Sequence, residues 1–207
     1  MVNDQSLEKI ISYSINEHGE KLSVLLLDLK SRLEEIGAKV NVMFKISCDK
    51  SLGDKVFDLL YDALKEDLLE QGDREIVIET LVDLKIKKKK VCKLIIDEIY
   101  EGKCENYWAL CDYLYILNQK EFSEDYIKIA SNSSLGSSRQ MLFLLMGKQK
   151  NRIYLETIIK GLNDESVSGH ALSALDNFKD ESLNLYFKLF IKDKRDWVRK
   201  IAISRFK

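Results

Sequence analysis

Two segments near the end of the chain echo one another, and this constrains the fold more than any other feature. In SVSGHALSAL (166–175) and WVRKIAISRF (197–206), Val167, Ala171 and Leu175 are matched by Val198, Ala202 and Phe206 at a spacing of 31 residues. Each trio is spaced i, i+4, i+8, which puts its members on one helix face. A small alanine at the middle position lets a neighbouring helix come close. The register continues upstream: Trp108-Ala109-Leu110, Gln140-Met141-Leu142, His170-Ala171-Leu172 and Ile201-Ala202-Ile203 follow at steps of 32, 30 and 31. One earlier step lands near Ile78, inside the apolar-periodic stretch Arg74–Leu84. A period in the thirties with small drift predicts repeated units and not one long coiled coil.

The segments between supply first helices for each pair: Asp54–Glu70, Lys90–Glu101, Ser123–Ser131, Arg152–Leu162 and Ser182–Ile191. Gln71-Gly72-Asp73, Glu101-Gly102-Lys103, Asn163-Asp164-Glu165 and Lys179-Asp180-Glu181 read as short linkers, with glycine as a stop signal and Asp or Ser as a helix start. The chain has no proline, which suits helices, since proline removes a backbone donor and clashes in a helix interior. Together these give about five helix pairs over 54–207, the pattern that stacks into an α–α superhelix. Residues 1–53 are expected to form an N-terminal helical cap, with helices over Leu7–Ile15 and Leu22–Ile36. Within 38–47, Val40, Val42, Phe44 and Ile46 alternate as in a strand, but a lone strand has no partner in this scheme, so a helical or extended connector is the preferred expectation.

Charge is balanced overall, at a net −1, but not locally. Residues 49–79 hold ten acids against four bases, a net of −6, and residues 182–207 hold eight bases against two acids, a net of +6. No global field favours nucleic acid or membrane. Cys48, Cys92, Cys104 and Cys111 form no Cys-x-x-Cys pair and lie far from both histidines in sequence, so buried thiols in a reducing compartment are expected, with no metal site. The polar start of the chain does not read as a secretory signal, and the longest apolar run, Val24–Leu27, is too short to span a bilayer. The expectation is a cytoplasmic protein with no membrane partner.

The stretch Asp196-Trp197-Val198-Arg199-Lys200-Ile201-Ala202 resembles the second helix of HEAT-like repeats in the bacterial short-repeat style, where Val-Arg is followed by Ala and then Leu. The likeness extends over 164–206 and thins upstream, where Val167 is followed by Ser168 and Ser137-Ser138 replaces Val-Arg. The resemblance implies an all-α, HEAT-like solenoid used for scaffolding and partner binding. It also brings in one enzymatic branch. The HEAT-like alkylpurine DNA glycosylases use a tryptophan, an aspartate one helix turn later and an arginine from a following repeat. Trp108, Asp112 and Arg139 have that order, but the further tryptophans and the basic concave surface of that branch are missing.

Equivalent second-helix positions form three rows: Trp108, Gln140, His170 and Ile201; Tyr107, Arg139, Gly169 and Lys200; Asn106, Ser138, Ser168 and Arg199. A face carrying Trp, Tyr, Arg and His has the composition of a recognition patch. Asp54, Asp58 and Asp62, four apart on one face, repel mildly and would suit a basic partner. Lys87-Lys88-Lys89-Lys90 reads as a solvated turn between helices, or else as a contact with phosphates or an acidic protein. The chain has no phosphate loop, His-Glu-x-x-His or dinucleotide fingerprint, and two histidines leave little material for acid–base chemistry near neutrality. The expected function is therefore non-catalytic and without a cofactor: a protein-binding module serving as an adaptor or a toxin-neutralising immunity protein. The candidate contacts are Trp108, Asp112, Arg139, Gln140, His170, Arg199, Lys200, Asp58 and Asp62. The alternative is a nucleic-acid-binding relative of the glycosylases.

Overall fold

The computed structural model describes residues 23–41, 45–66 and 69–206, and over these the protein is all-α apart from one pair of two-residue strands. The helices are α1 (Val24–Glu35), α2 (Gly53–Lys65), α3 (Gln71–Asp83), α4 (Lys88–Glu101), α5 (Tyr107–Leu117), α6 (Ser123–Ser131), α7 (Gln140–Gln149), α8 (Leu155–Gly161), α9 (Ser168–Asp176), α10 (Asn184–Lys188) and α11 (Asp196–Ser204). The expected helix over Leu7–Ile15 lies outside the described residues. The chain divides into two compact units, Met1–Val91 with Gly102–Glu105, and Cys92–Glu101 with Asn106–Lys207. The boundary expected at 53/54 falls inside the first.

In the first unit, Ser23 caps α1 by accepting a hydrogen bond from the Leu26 amide at 3.1 Å, as N-cap serines do. The helix stops at Gly37, whose φ of +94° lets the Gly37 and Ala38 amides turn back onto the Glu34 and Leu33 carbonyls. α1 packs against α2, which packs in turn against α3, and Leu26, Leu29 and Leu33, Val56, Phe57, Leu60 and Leu64, and Val77, Ile78, Leu81 and Val82 are buried. Two local readings are corrected. Gln71-Gly72-Asp73 is the first turn of α3 and not a linker. Glycine weakens a helix interior but is tolerated in its first turn, and Asp73 suits the positive end of the helix. The alternating stretch pairs with itself, Lys39–Val40 (β1) running antiparallel to Ile46–Ser47 (β2). Each end of the stretch supplies the partner that a lone strand lacked, while Val42 and Phe44 lie outside the described residues.

In the second unit, α5, α7, α9 and α11 pack against one another in chain order, while α6 lies against α8 and α10 against α11. The two helices come close at Gly147 of α7, where a Cβ would stand 2.6 Å from the Ala174 Cα of α9. Gly161 of α8 makes room in the same way for the Phe143 ring. α6, α8 and α10 are each entered through a 3-10 turn, at Lys120–Phe122, Arg152–Tyr154 and Glu181–Leu183. Tyr126, Ile158 and Phe187 occupy the matching buried positions of these helices. Loop geometry recurs in the same register. Asn118, Lys150 and Lys179 all adopt left-handed φ near +50°, at steps of 32 and 29. Asn132, Asp164 and Asp193, at the same steps, each accept the amide hydrogen of the residue two places on, an Asx turn.

Those steps move the rows read from sequence. With 29 between α7 and α9, Leu142, Phe143, Leu145 and Met146 fall on Ala171, Leu172, Ala174 and Leu175, all of them buried. The register is then Leu110, Leu142, Ala171, Ala202, with Ala109 one place out of line. A sequence match cannot see a one-residue slip when both frames present apolar residues.

Candidate functional site

The α5, α7, α9 and α11 N-termini carry most of the residues singled out from sequence. Asn106 caps α5, its side chain accepting from the Ala109 amide at 3.1 Å, and Trp108 in the first turn is 51% exposed. Asp112, one turn further, is half-buried, and burial raises its carboxyl above the ordinary range.

Arg139, expected at the surface, is instead buried. Its guanidinium donates to the carbonyls of Gly136 and Ala130, both at 2.9 Å, to Asp164 Oδ2, and to Ser166 Oγ at 3.1 Å. It ties the end of α6 and the turn before α7 to the loop before α9. Asp164 is held below the ordinary carboxylate range, first by the Ser166 hydroxyl and then by Arg139. Gln140 joins the same knot by donating to the Ser166 carbonyl at 2.7 Å. A fork-shaped cation can reach carbonyls and a carboxylate at once, and four of its N–H groups are directed into the fold in this way.

Arg195 makes the next tie. It grips Asp193 through both oxygens at 2.9 Å and reaches back to Ser168 Oγ, also at 2.9 Å. Those bonds bring the Asp193 pKa down to about 2. Beside it lies an aromatic pair, with the His170 and Trp197 rings 5.4 Å apart and inclined at 62°. Burial, and then the charge of Arg195, lowers the His170 pKa, which favours the neutral ring. Trp197 sits directly over Gly169 and remains 42% exposed. It was not among the candidates from sequence. The available signal was Gly169 itself, a glycine in the first turn of α9 with a tryptophan 28 positions on.

Most of the remaining candidates bond to other groups of the chain. Arg199 bonds the Asp193 and Lys194 carbonyls and Asp196, and Lys200 pairs with Asp196 at 2.7 Å. In the first unit, Lys87 reaches the acidic stripe, its Nζ 2.8 Å from Asp58 and 3.1 Å from Asp54 and 4.5 Å from the centre of the Phe57 ring. A basic group that offsets the stripe is therefore supplied by the chain itself, at the start of the lysine run. Asp62 lies exposed on the same helix.

Among the described residues, no helix is long and apolar enough to cross a membrane, and no group of three His, Cys, Asp or Glu side chains is placed to hold a metal ion. No protein-family model matches the chain, and no curated protein matches it.

Proposed function

We propose that the protein is a HEAT-like α-solenoid that binds a protein partner through the edge formed by the N-termini of α5, α7, α9 and α11, in the manner of an adaptor or a toxin-neutralising immunity protein. The observation that carries this reading is the pair of exposed indoles, Trp108 at one end of that edge and Trp197 at the other. Tryptophans half in water and half on a rigid frame are the anchors that dominate protein interfaces. Trp197 is seated by Gly169 and held by His170, so it loses little freedom on binding. Loop geometry recurring at 32 and 29 residues, with consecutive packing of the four helices, supports the repeat reading.

The glycosylase-like alternative is weakened by Arg139, whose guanidinium is spent inside the fold. The test is quantitative capture from lysate of the source cell by the tagged chain and by a Trp108→Ala/Trp197→Ala variant. The reading expects a stoichiometric protein partner with the first and its loss with the second. Equal recovery by both would overturn it, as would a nuclease-sensitive capture.

A further inference from the structure

Trp108, Asp112 and Ile116 of α5 are spaced i, i+4, i+8 and so share one helix face. The indole is 51% and the isoleucine 52% exposed, and the carboxylate between them is half-buried. That carboxylate makes no hydrogen bond or ion pair among the described residues. The other aspartates of the second unit each meet a lysine, an arginine or, at Asp125, the Tyr100 hydroxyl. Two cations on and just before the neighbouring α7 are engaged elsewhere. Arg139 turns into the fold, and Lys148 lies over the Tyr115 ring, 4.4 Å from its centre. Burial raises the Asp112 pKa, and no charge of the chain opposes it. An unpaired carboxylate in that setting costs stability, and a cation arriving on it offsets the cost.

We infer that the protein partner presents an arginine side chain to this face of α5, its guanidinium on the Trp108 indole and the Asp112 carboxylate, with an apolar residue of the partner over Ile116. The inference rests on the partner-binding reading above and names the chemistry at its Trp108 end. Helix neighbours at i, i+4 have Cβ atoms about 5–6 Å apart, so one planar cation can stack on the indole and fork onto the carboxylate at once. Lysine fits less well, because its ammonium is a strongly hydrated point charge that neither stacks nor forks. Alternate side chains of an extended segment stand about 6.6 Å apart, close to the rise of about 6 Å over one i, i+4 step. A residue two places from the arginine therefore reaches Ile116. Nucleic acid is disfavoured, since its phosphates would meet an unneutralised carboxylate.

The chain holds two tryptophans, so the intact isotope-labelled protein gives two indole N–H signals in its NMR spectrum, assigned with Trp197→Phe. The probe is the capped peptide Leu-Ser-Arg-Ser-Leu. Its controls carry citrulline, which is neutral and nearly the same shape, or lysine at the centre. The arginine peptide is expected to shift the Trp108 signal saturably and to leave the Trp197 signal in place. Citrulline in the peptide and Asp112→Asn in the protein should each weaken binding about tenfold or more, and lysine should weaken it severalfold. The rest of the spectrum checks that Asp112→Asn keeps the fold. No saturable shift, a shift at Trp197 instead, equal binding of the citrulline or lysine peptide, or indifference to Asp112→Asn overturns the inference. Lysate capture keeps the two readings apart. A partner lost with Trp108→Ala/Trp197→Ala but held as tightly by Asp112→Asn leaves partner binding standing and overturns the arginine contact.

Discussion

The indole of Trp197 lies so close over Gly169 that a Cβ there would stand 2.5 Å from the ring. Gly169→Ala therefore sets two effects against each other. In the first turn alanine gains less than the roughly 1 kcal/mol of helix propensity found in a helix interior, whereas overpacking costs about 1–3 kcal/mol. Because the indole is partly exposed it can swing aside, so little net change in stability is expected. The expected signature is a red-shifted tryptophan emission and loss of partner capture with the melting temperature nearly kept. Unchanged emission would show that the ring does not rest there.

Arg139→Met removes the guanidinium from the Ala130 and Gly136 carbonyls and from Asp164 Oδ2, while Asp164 Oδ1 keeps its bonds from Ser166. Removing one member of a buried charged knot costs about 2–4 kcal/mol, read by urea unfolding. Asp164 is held below its ordinary pKa, so its contribution is fully present above the unfolded value near 3.9 and disappears as pH falls through the lower folded value. The variant should accordingly lose less stability on acidification below about pH 4 than the wild type does.

Asp73 has the opposite sign. It is buried, its Oδ2 has no hydrogen-bond partner among the described residues, and burial raises its pKa despite hydrogen bonds from Ser23. A carboxyl raised in the folded state favours folding while protonated and costs stability once pH rises past its unfolded value. Asp73→Asn keeps an acceptor for Ser23 and should gain up to about 1 kcal/mol at pH 7, after the loss of some helix-dipole attraction. The gain should vanish toward pH 3.

Lys150 closes α7 in a left-handed conformation, φ +53°. That costs a residue with a Cβ about 1–2 kcal/mol, more than the added unfolded-state entropy of glycine, about 0.5–1 kcal/mol. Lys150→Gly should raise stability by about 0.5 kcal/mol, measurable as a higher urea midpoint at constant slope.

The helices were legible because their apolar spacing is strong: Ser123–Ser131 falls where the pattern puts it, and α9 and α11 sit on the echoed segments. The loops were less so. Lys150 and Lys179 do the work usually signalled by glycine, so the recurring turn was hidden behind residues that carry no turn signal. Arg139 reads as a surface cation in any one-dimensional pattern. Its inward course depends on Asp164 and Ser166, 25 and 27 residues away. The same holds for Lys87, whose partners lie one helix pair earlier. Trp197 was read as the opening of a helix, because only packed coordinates reveal that Gly169 clears its seat.

The most direct measurement is hydrogen–deuterium exchange on the intact chain with and without its captured protein partner. The account predicts new protection at the starts of α5, α7, α9 and α11, centred on Trp108 and Trp197, and little along α6 and α8. Protection confined to α6 and α8, with the four N-termini exchanging as in the free chain, would contradict it.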